Sequence, residues 1–422
     1  MPRLRYIAGI LLGDILGLPW EIVTDKRKLG KHPAINYSNE KIQGSFRICP
    51  DELLFEKGVC GREISITEWK SLPVFFQGNP ESDIPFDIFA ASFYLISRYE
   101  EYLDYESDEH GRFKASSSFA FRHGFLGIPI IDLWSRELVK ALLKKFQSLT
   151  FRRNEFKTLL TIDTDQAFTY PGKNIFSSIG GFFRDLANSN GHPGDRYRSV
   201  VKGEKDPYEV FDYITDNVEK FGADPRFFFP VGDLSRFNRN PSWKNEEYRR
   251  LIQKISCKYK TGLHTSYFAS EKTDLIRSEG SRLKTIIGSD ITINGFHSAR
   301  FFMPKSYEAL INAGITEDYS MGYHDEPGFR AGIGRPFFFY NILQEEQTCL
   351  KIFPFQVMDS SLYNNKDPDP LKAKEIILNL INETKRTGGT FISVWHNTSL
   401  VENPDRKGWR DVFEFMLKTQ LQ

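Results

Sequence analysis

Two aspartates, one residue apart, directly follow an apolar run in the stretch LLTIDTDQAFTY, residues 159–170. If the run is a β-strand, Asp163 and Asp165 point the same way, because side chains alternate with a period of two. Two carboxylates held this close repel each other, and burial raises the cost further. A divalent cation relieves the repulsion, since one carboxylate can ligate it while the other serves as a base. The alternative is that both aspartates cap the following loop.

Two histidines occupy comparable positions in the chain. His264 in TGLHTS and His396 in FISVWHN each stand at the end of a predicted strand. A single histidine of this kind is typical of a partly buried core residue, but an imidazole just past a buried strand is also suited to proton transfer. Because three strand ends supply an aspartate pair and two histidines, we predict that they form one site.

The elements that must position these residues alternate between strand and helix beyond about residue 150. This pattern predicts a parallel sheet, either open or closed into a barrel, with chemistry at the C-terminal ends of the strands. Predicted strands are TLLTID, RFFFPVGD, YKTGLH, LKIFPF and TFISVW. Predicted helices are NEEYRRLIQKIS, KSYEALINAG and LKAKEIILNLINETKR, the last capped by Asp369 and stopped by Gly388.

The first 150 residues follow a different pattern. Short strands and turns extend to about Gly78, followed by a helix capped by Asp87 and running to about Leu103, and by a second helix, IIDLWSRELVKALLKKFQSL. We therefore predict two domains, a smaller α/β domain over residues 1–150 and a larger one over 151–422. The N-terminal MPRLRYIAGILLGDILGLPW predicts an amphipathic helix rather than a signal peptide, because Asp14 interrupts the apolar run.

Bulk composition narrows the function classes. The net charge of the 422-residue chain is +1, and it has no Lys/Arg block of the kind that tracks a phosphate backbone, which argues against nucleic acid as a partner. No segment reaches the ~20 apolar residues of a transmembrane helix, so we expect a cytoplasmic protein. The four cysteines have no C-x-x-C spacing and are expected to be buried free thiols. Aromatic residues make up 14% of the chain, and some are expected to line a ligand cleft.

From about residue 151 onward, these motifs resemble the polysaccharide deacetylases of the NodB-homology type, carbohydrate esterase family 4. TIDTD resembles the first family motif, GLHTS the second, FMPKSYEALINAGITEDYSMGY the third and fourth, and TFISVWHN the fifth. The resemblance implies an α/β fold, a distorted (β/α) barrel of the deacetylase type. It also implies a metal-dependent hydrolase that removes an acyl group, N-acetyl above all, from a carbohydrate. The stretch PFDIFAASFYLISRYEEYL resembles an accessory domain that precedes such domains in some bacterial proteins.

The resemblance also implies residue roles. Asp163 would be the catalytic base, Asp165 and His264 would ligate a divalent metal such as Zn²⁺, and His396 would protonate the departing amine. Arg300 or Asp318 would set the charge of the catalytic groups, with Arg330 as the alternative to Arg300. The residues assigned to substrate binding are Tyr267, Trp395 and Arg330.

One position departs from the family pattern. The second motif usually carries another histidine four residues after the first, where this chain has Phe268. His297, in INGFHSARFF, follows the next predicted strand and would complete an Asp/His/His set, since catalytic zinc sites normally hold three protein ligands and a water. The departure leaves a second hypothesis open, a catalytically inactive deacetylase-like protein that binds a glycan.

Two other enzyme classes also use Asp-x-Asp after a strand. Haloacid-dehalogenase phosphatases expect Thr or Val at the position of Ala167. A manganese-dependent glycosyltransferase would need a preceding nucleotide-binding half-domain, which the sequence does not indicate.

Overall fold

Small sheets and helices packed around aromatic side chains make up the N-terminal region, residues 1–150. The computed structural model describes residues 1–30, 32–167, 210–363, 369–401 and 406–420. Strands β1 and β2 pair in parallel, and β3 and β4 pair antiparallel. The elements of this region are β1 (Ile35–Tyr37), β2 (Phe46–Ile48), β3 (Ile66–Trp69), β4 (Leu72–Phe75), α1 (Pro2–Ala8), α2 (Ile88–Ile96), α3 (Phe119–Arg122) and α4 (Ile130–Lys145).

Helix α2 shows how the sequence sets the length of an element. The carboxylate of Asp87 accepts hydrogen bonds from the backbone N–H groups of Phe89 and Ala90, which confirms the predicted cap. The helix ends at Ile96, short of the predicted Leu103, because Arg98 adopts a left-handed conformation with φ 54°. A 3₁₀ turn over residues 99–102 continues the chain, so the apolar spacing extends further than the helix does.

A curled nine-stranded sheet, a half-barrel, dominates the part of the chain that is described after residue 150. Its strands are β5 (Lys157–Asp163), β6 (Pro225–Phe229), β7 (Lys260–Thr265), β8 (Ile293–Phe296), β9 (Glu317–Asp318), β10 (Phe337–Asn341), β11 (Glu346–Ile352), β12 (Val357–Met358) and β13 (Thr390–His396). The spatial order is β10-β11-β9-β8-β7-β6-β5-β13-β12, and each neighbouring pair is parallel except β10 and β11. Parallel pairing places the C-terminal ends of β5, β7, β8, β12 and β13 along one edge.

The helices of the sheet region confirm the predicted alternation. They are α5 (Phe211–Lys220), α6 (Glu246–Ser256), α7 (Thr273–Ile287), α8 (Lys305–Asn312), α9 (Asp359–Tyr363), α10 (Pro370–Thr387) and α11 (Trp409–Gln420). Asp369 caps α10 by accepting a hydrogen bond from Leu371 N–H, and Gly388 ends the helix with φ 63°. A Cβ at Gly388 would lie 2.4 Å from the carbonyl oxygen of Asn154, so both its conformation and its surroundings require glycine.

Two further expectations concern surface properties. Every helix within the described segments is too short or too polar to cross a bilayer. All four cysteines are free thiols, as predicted, but only Cys49 is buried, and Cys60, Cys257 and Cys349 are exposed. The prediction of burial was therefore wrong for three of the four.

Buried ion pairs join the N-terminal region to the sheet region. Arg330 donates to both carboxylate oxygens of Glu101 at 2.9 and 2.7 Å, and Arg98 donates to Glu101 at 2.7 Å. Asp132 on α4 pairs with Arg335 at 2.6 Å. Arg330 is 3% exposed, so the structure places it in this ion-pair network, paired with Glu101, rather than on a substrate surface.

Candidate active site

Carboxylates and imidazoles from four strands gather at the C-terminal edge of the sheet. Asp163 is the last residue of β5, and the chain turns at Thr164, which donates through its N–H and its hydroxyl to the Phe228 carbonyl of β6. The functional side chains of this edge are Asp163 and Asp165 after β5, His264 on β7, His297 directly after β8, and His396 at the end of β13.

Within the described segments, Asp165, His264 and His297 form a compact group of potential metal ligands. Their ligand atoms all lie within 4.8 Å of one another. Asp165 Oδ1 is 2.9 Å from His264 Nε2 and 3.7 Å from His297 Nε2. Ligand atoms about 2.0–2.2 Å from a tetrahedral ion stand about 3.3–3.6 Å apart, so small side-chain adjustments would bring the three into coordination range.

Hydrogen bonds behind the two histidines fix which nitrogen faces the group. His264 Nδ1 donates to the carbonyl oxygen of Gly295 at 2.9 Å, and His297 Nδ1 lies 3.3 Å from Asn238 Oδ1. Asn238 Oδ1 also accepts from the Tyr267 N–H at 3.2 Å, which orients its amide. A carbonyl oxygen only accepts, so each Nδ1 carries a proton and each Nε2 faces Asp165, where His264 Nε2–H donates to Asp165 Oδ1 at 2.9 Å. A divalent ion bound here would replace that proton, and the two Nε2 lone pairs would then serve as ligands. The donor set therefore fits a divalent ion of the zinc type.

The two aspartates differ in their ionisation. Asp163 is 5% exposed, and burial raises its pKa, although His264 and His396 oppose this effect. Burial also acts to raise the pKa of Asp165, but His297 and His264 outweigh it and hold that pKa well below its ordinary value. Asp163 Oδ2 lies 4.0 Å from His264 Nε2. One carboxylate is thus suited to remain an anionic ligand and the other to accept a proton.

His396 is held by a carboxylate that the sequence analysis did not select. Its Nδ1 lies 2.6 Å from Asp359 Oδ1, and its backbone N–H donates to Asp359 Oδ2 at 2.8 Å. Nε2 faces the site, 3.7 Å from Asp165 Oδ2. Burial lowers the pKa of His396, but the charge of Asp359 outweighs it, so the pKa lies well above the ordinary value. The raised pKa favours the protonated form of His396, which is suited to donate a proton.

A pocket of about 240 Å³ opens beside the ligand group. Asp165 and His297 form part of its wall, and Phe237 supplies an aromatic surface. The Phe237 ring stacks on Tyr267 with centroids 3.9 Å apart. Polar and aromatic walls of this kind suit a sugar ring. The other lining residues are Gln166, Pro230, Asn238, Arg239, Asn240 and Thr398.

Tyr267 and Trp395, both predicted to bind substrate, lie outside that lining. Tyr267 is 8% exposed behind Phe237, so it supports the wall. Trp395 is fully buried, with its indole N–H directed at Met416 Sδ at 3.2 Å and its ring packed against Phe413. The strand alternation that directs His396 to the site directs Trp395 to the opposite face, against α11. The structure therefore places Trp395 in the core.

Arg300 also has a different position from the one implied. Its guanidinium donates to the carbonyl oxygens of His110 at 3.0 Å and Tyr267 at 3.1 Å, and to the Ser270 hydroxyl at 2.7 Å. The His110 contact joins the segment after β8 to the N-terminal region, and the other two join it to the segment after β7. They engage the guanidinium away from the Asp163 carboxylate that it was expected to influence.

Asp318 lies on β9, fully buried, and accepts from the hydroxyl of Ser320 at 2.6 Å and its N–H at 3.1 Å. Asp318 was expected to set the charge of the catalytic groups, but the carboxylate that contacts His396 is Asp359. Burial raises the pKa of Asp318 to about 7.

The raised pKa of Asp318 predicts how the free energy of unfolding depends on pH. Between pH 4 and 7 the folded Asp318 carboxyl retains a proton that the unfolded chain has released, so stability falls as pH rises through this window. The difference between the ordinary pKa of an aspartate and about 7 limits the contribution of Asp318 to the free energy of unfolding to about 4 kcal/mol. We expect Asp318→Asn to raise the free energy of unfolding at pH 8 by about 1–3 kcal/mol. Urea denaturation at pH 5 and pH 8 measures it.

The control for this experiment is Asp216→Asn, on the exposed side of α5, which should preserve the wild-type difference between the two pH values. An Asp318→Asn protein with an unchanged pH dependence would show that this carboxyl does not titrate in the window.

Asp359 and Asn238 are the functional residues that sequence reasoning missed. Asp359 directly follows β12, a strand of only two residues, and sits at the start of α9. The strand-end rule that selected Asp163 would have selected it, had so short a strand been recognised. Asn238 lies in the loop after β6, and its type and spacing gave no indication of a role.

Comparisons with known proteins give family and fold likeness only. Residues 1–147 match a family of unknown function, DUF7033. Comparison with curated proteins gives no match. Among solved structures, one from Mycobacterium smegmatis, assigned as a polysaccharide deacetylase, is similar at 14% identity and TM-score 0.41, covering 64% of this chain and 86% of its own.

Two further structures are similar at lower scores. The polysaccharide deacetylase of Bacillus cereus has 12% identity and TM-score 0.31, covering 63% of this chain and 87% of its own. A pseudoenzyme of carbohydrate esterase family 4 from Bacillus anthracis has 11% identity and TM-score 0.32, covering 64% of this chain and 62% of its own.

Proposed function

We propose that the protein is a metal-dependent hydrolase that removes an acyl group, N-acetyl above all, from a carbohydrate, on a half-barrel of the deacetylase type. One observation carries the proposal. An Asp/His/His donor set lies between a second buried carboxylate, Asp163, and an imidazole anchored by a carboxylate, His396. Metal-assisted amide hydrolysis uses these three functions together, namely a Lewis acid, a base for water and an acid for the leaving amine.

Each side chain then has a defined task. Asp165, His264 and His297 would hold a divalent ion, which supplies polarisation of the acyl oxygen and a lowered pKa for water when bound. Asp163 accepts the proton of the attacking water, and its raised pKa makes it a stronger base than an exposed aspartate. His396, protonated through its contact with Asp359, donates a proton to the departing amine nitrogen.

The pocket supports a carbohydrate as substrate. Phe237 offers an apolar surface on which a sugar ring can stack, and its own position is fixed by stacking on Tyr267. Asn238, Asn240 and Gln166 surround it with amide groups that can hydrogen-bond to hydroxyls.

The direct test measures bound metal and acetate release together. We expect the purified protein, supplied with Zn²⁺, to bind about one ion per chain and to release acetate from chitooligosaccharides or peptidoglycan fragments. His297→Ala removes a ligand itself, so it should lower metal affinity by more than the roughly 10–100-fold that loss of a residue behind the ligands costs, and reduce turnover with it. The comparison variant for His297→Ala is Phe268→His, which places the histidine of the second family motif at an exposed position. Absence of both metal and acetate release in the wild type would contradict the proposal.

A second function is a glycan-binding protein without catalysis. The observation that favours it is Phe268, which replaces the family histidine and is 47% exposed beside Phe237 with ring centroids 5.7 Å apart. An exposed aromatic at the pocket rim extends the stacking surface rather than the ligand set. Glycan binding by a wild type that releases no acetate under any metal supply would favour this second function.

A further inference from the structure

A hairpin of the N-terminal region stands against the candidate active site. Ser107 and Phe113 form its antiparallel bridge, and Asp108 organises the turn. One carboxylate oxygen of Asp108 accepts from the N–H groups of His110 at 2.8 Å and Arg112 at 2.9 Å, and the other accepts from Arg112 Nε at 2.7 Å. These bonds fix both the turn and the Arg112 side chain, which is 9% exposed.

The hairpin is hydrogen-bonded to the segment that follows His297. Arg112 Nη1 donates to the carbonyl oxygen of Ser298 at 2.8 Å. In the opposite direction, Arg300 Nε donates to the carbonyl oxygen of His110 at 3.0 Å. The His110 ring nitrogen Nδ1 lies 3.0 Å from the Tyr267 hydroxyl. The hairpin therefore holds both the segment after β8 and the residue that follows His264 by three positions.

The segment after His297 has an unfavourable backbone conformation. Ser298 has φ 59° and ψ 24°, and Ala299 has φ 48°, both in the left-handed region. Residues other than glycine adopt this region at a cost in free energy, so the conformation persists only where the surroundings impose it. Both residues directly follow His297, and a relaxed backbone would rotate its imidazole away from Asp165.

We propose that the hairpin over residues 107–113 positions the third metal ligand, with Arg112 as the positioning residue for His297. The inference rests on the metal site of the proposed function and goes beyond it, because it assigns a role to the N-terminal region. Arg112 acts on the ligand through the backbone, as groups behind a first ligand shell do, and loss of such groups lowers metal affinity by about 10–100-fold.

The test is Zn²⁺ affinity of the full chain, measured by competition with a chromogenic chelator. We expect Arg112→Gln to weaken binding about tenfold. Arg112→Lys keeps the charge opposite Asp108 but cannot reproduce both donors, so we expect a smaller loss. The matched control is Arg62→Gln, which removes a half-buried arginine paired with Asp51 and Glu56 within the N-terminal region and should leave affinity unchanged.

A double-mutant cycle separates positioning from general destabilisation. If Arg112 acts through His297, Arg112→Gln should cause no further loss of affinity in a His297→Ala background. An equal loss in both backgrounds would overturn the inference, as would wild-type affinity in Arg112→Gln. A wild type that binds no Zn²⁺ would contradict the metal site itself. A wild type and an Arg112→Gln protein that bind Zn²⁺ equally well would contradict only the positioning role of Arg112.

Discussion

Replacing Asp163 by asparagine should lower kcat by about 10²–10⁴-fold while leaving the metal bound. Asparagine has nearly the shape of the aspartate but cannot accept the proton of the attacking water. Asp163 is not one of the three grouped ligands, and its nearest approach to His264 Nε2 is 4.0 Å. Acetate release at saturating substrate and metal content after dialysis measure the two effects separately.

Asp165→Asn is the control that gives the opposite pattern. It removes the anionic ligand that His264 contacts at 2.9 Å, so we expect loss of the metal along with loss of turnover. Equal metal loss in the two variants would contradict the division of tasks between the two carboxylates. Retained turnover in Asp163→Asn would contradict its role as the base. A wild type without turnover, together with unchanged glycan affinity in Asp163→Asn, would favour the binding function.

The strand-end logic accounts for the part of the site that the sequence could predict. Asp163, Asp165, His264, His297 and His396 all lie at or directly after parallel strands, and parallel pairing brings those ends to one edge. The period of two along a strand then determines which side chains face the site. These are local rules, and they require only that strands be recognised.

The same rules explain two of the differences. Trp395 precedes His396 by one position and so faces the core, which the period of two itself indicates. Asp359 follows a strand of two residues, too short to produce a detectable hydrophobic pattern.

Other differences come from contacts between distant parts of the chain. Arg330 and Glu101 are 229 positions apart, and Arg112 and Ser298 are 186 apart. The stretch YESDEHGR has the composition of a solvated turn, yet its Asp108 and Arg112 are largely buried against the sheet region. Charge and spacing within a short window cannot predict a partner contributed by another region.

Asp359→Asn should lower kcat by about 10²-fold or more and move the alkaline limb of the pH–rate profile to lower pH. His396 must be protonated to donate to the leaving amine, so activity falls as pH rises through its pKa. The Asp359 charge raises that pKa above its ordinary value. Removing the charge lowers the pKa, and the deprotonated, inactive form then dominates from a lower pH upward.

The shape of asparagine adds to this effect. Asp359 accepts from both the ring Nδ1 and the backbone N–H of His396, whereas an amide has one accepting oxygen. The comparison variant is Asp318→Asn, the same change in another buried carboxyl of the sheet region. Its partner is Ser320, so we expect its alkaline limb to coincide with the wild type. A shift in Asp318→Asn with none in Asp359→Asn would return the role to the residue that the sequence resemblance implied.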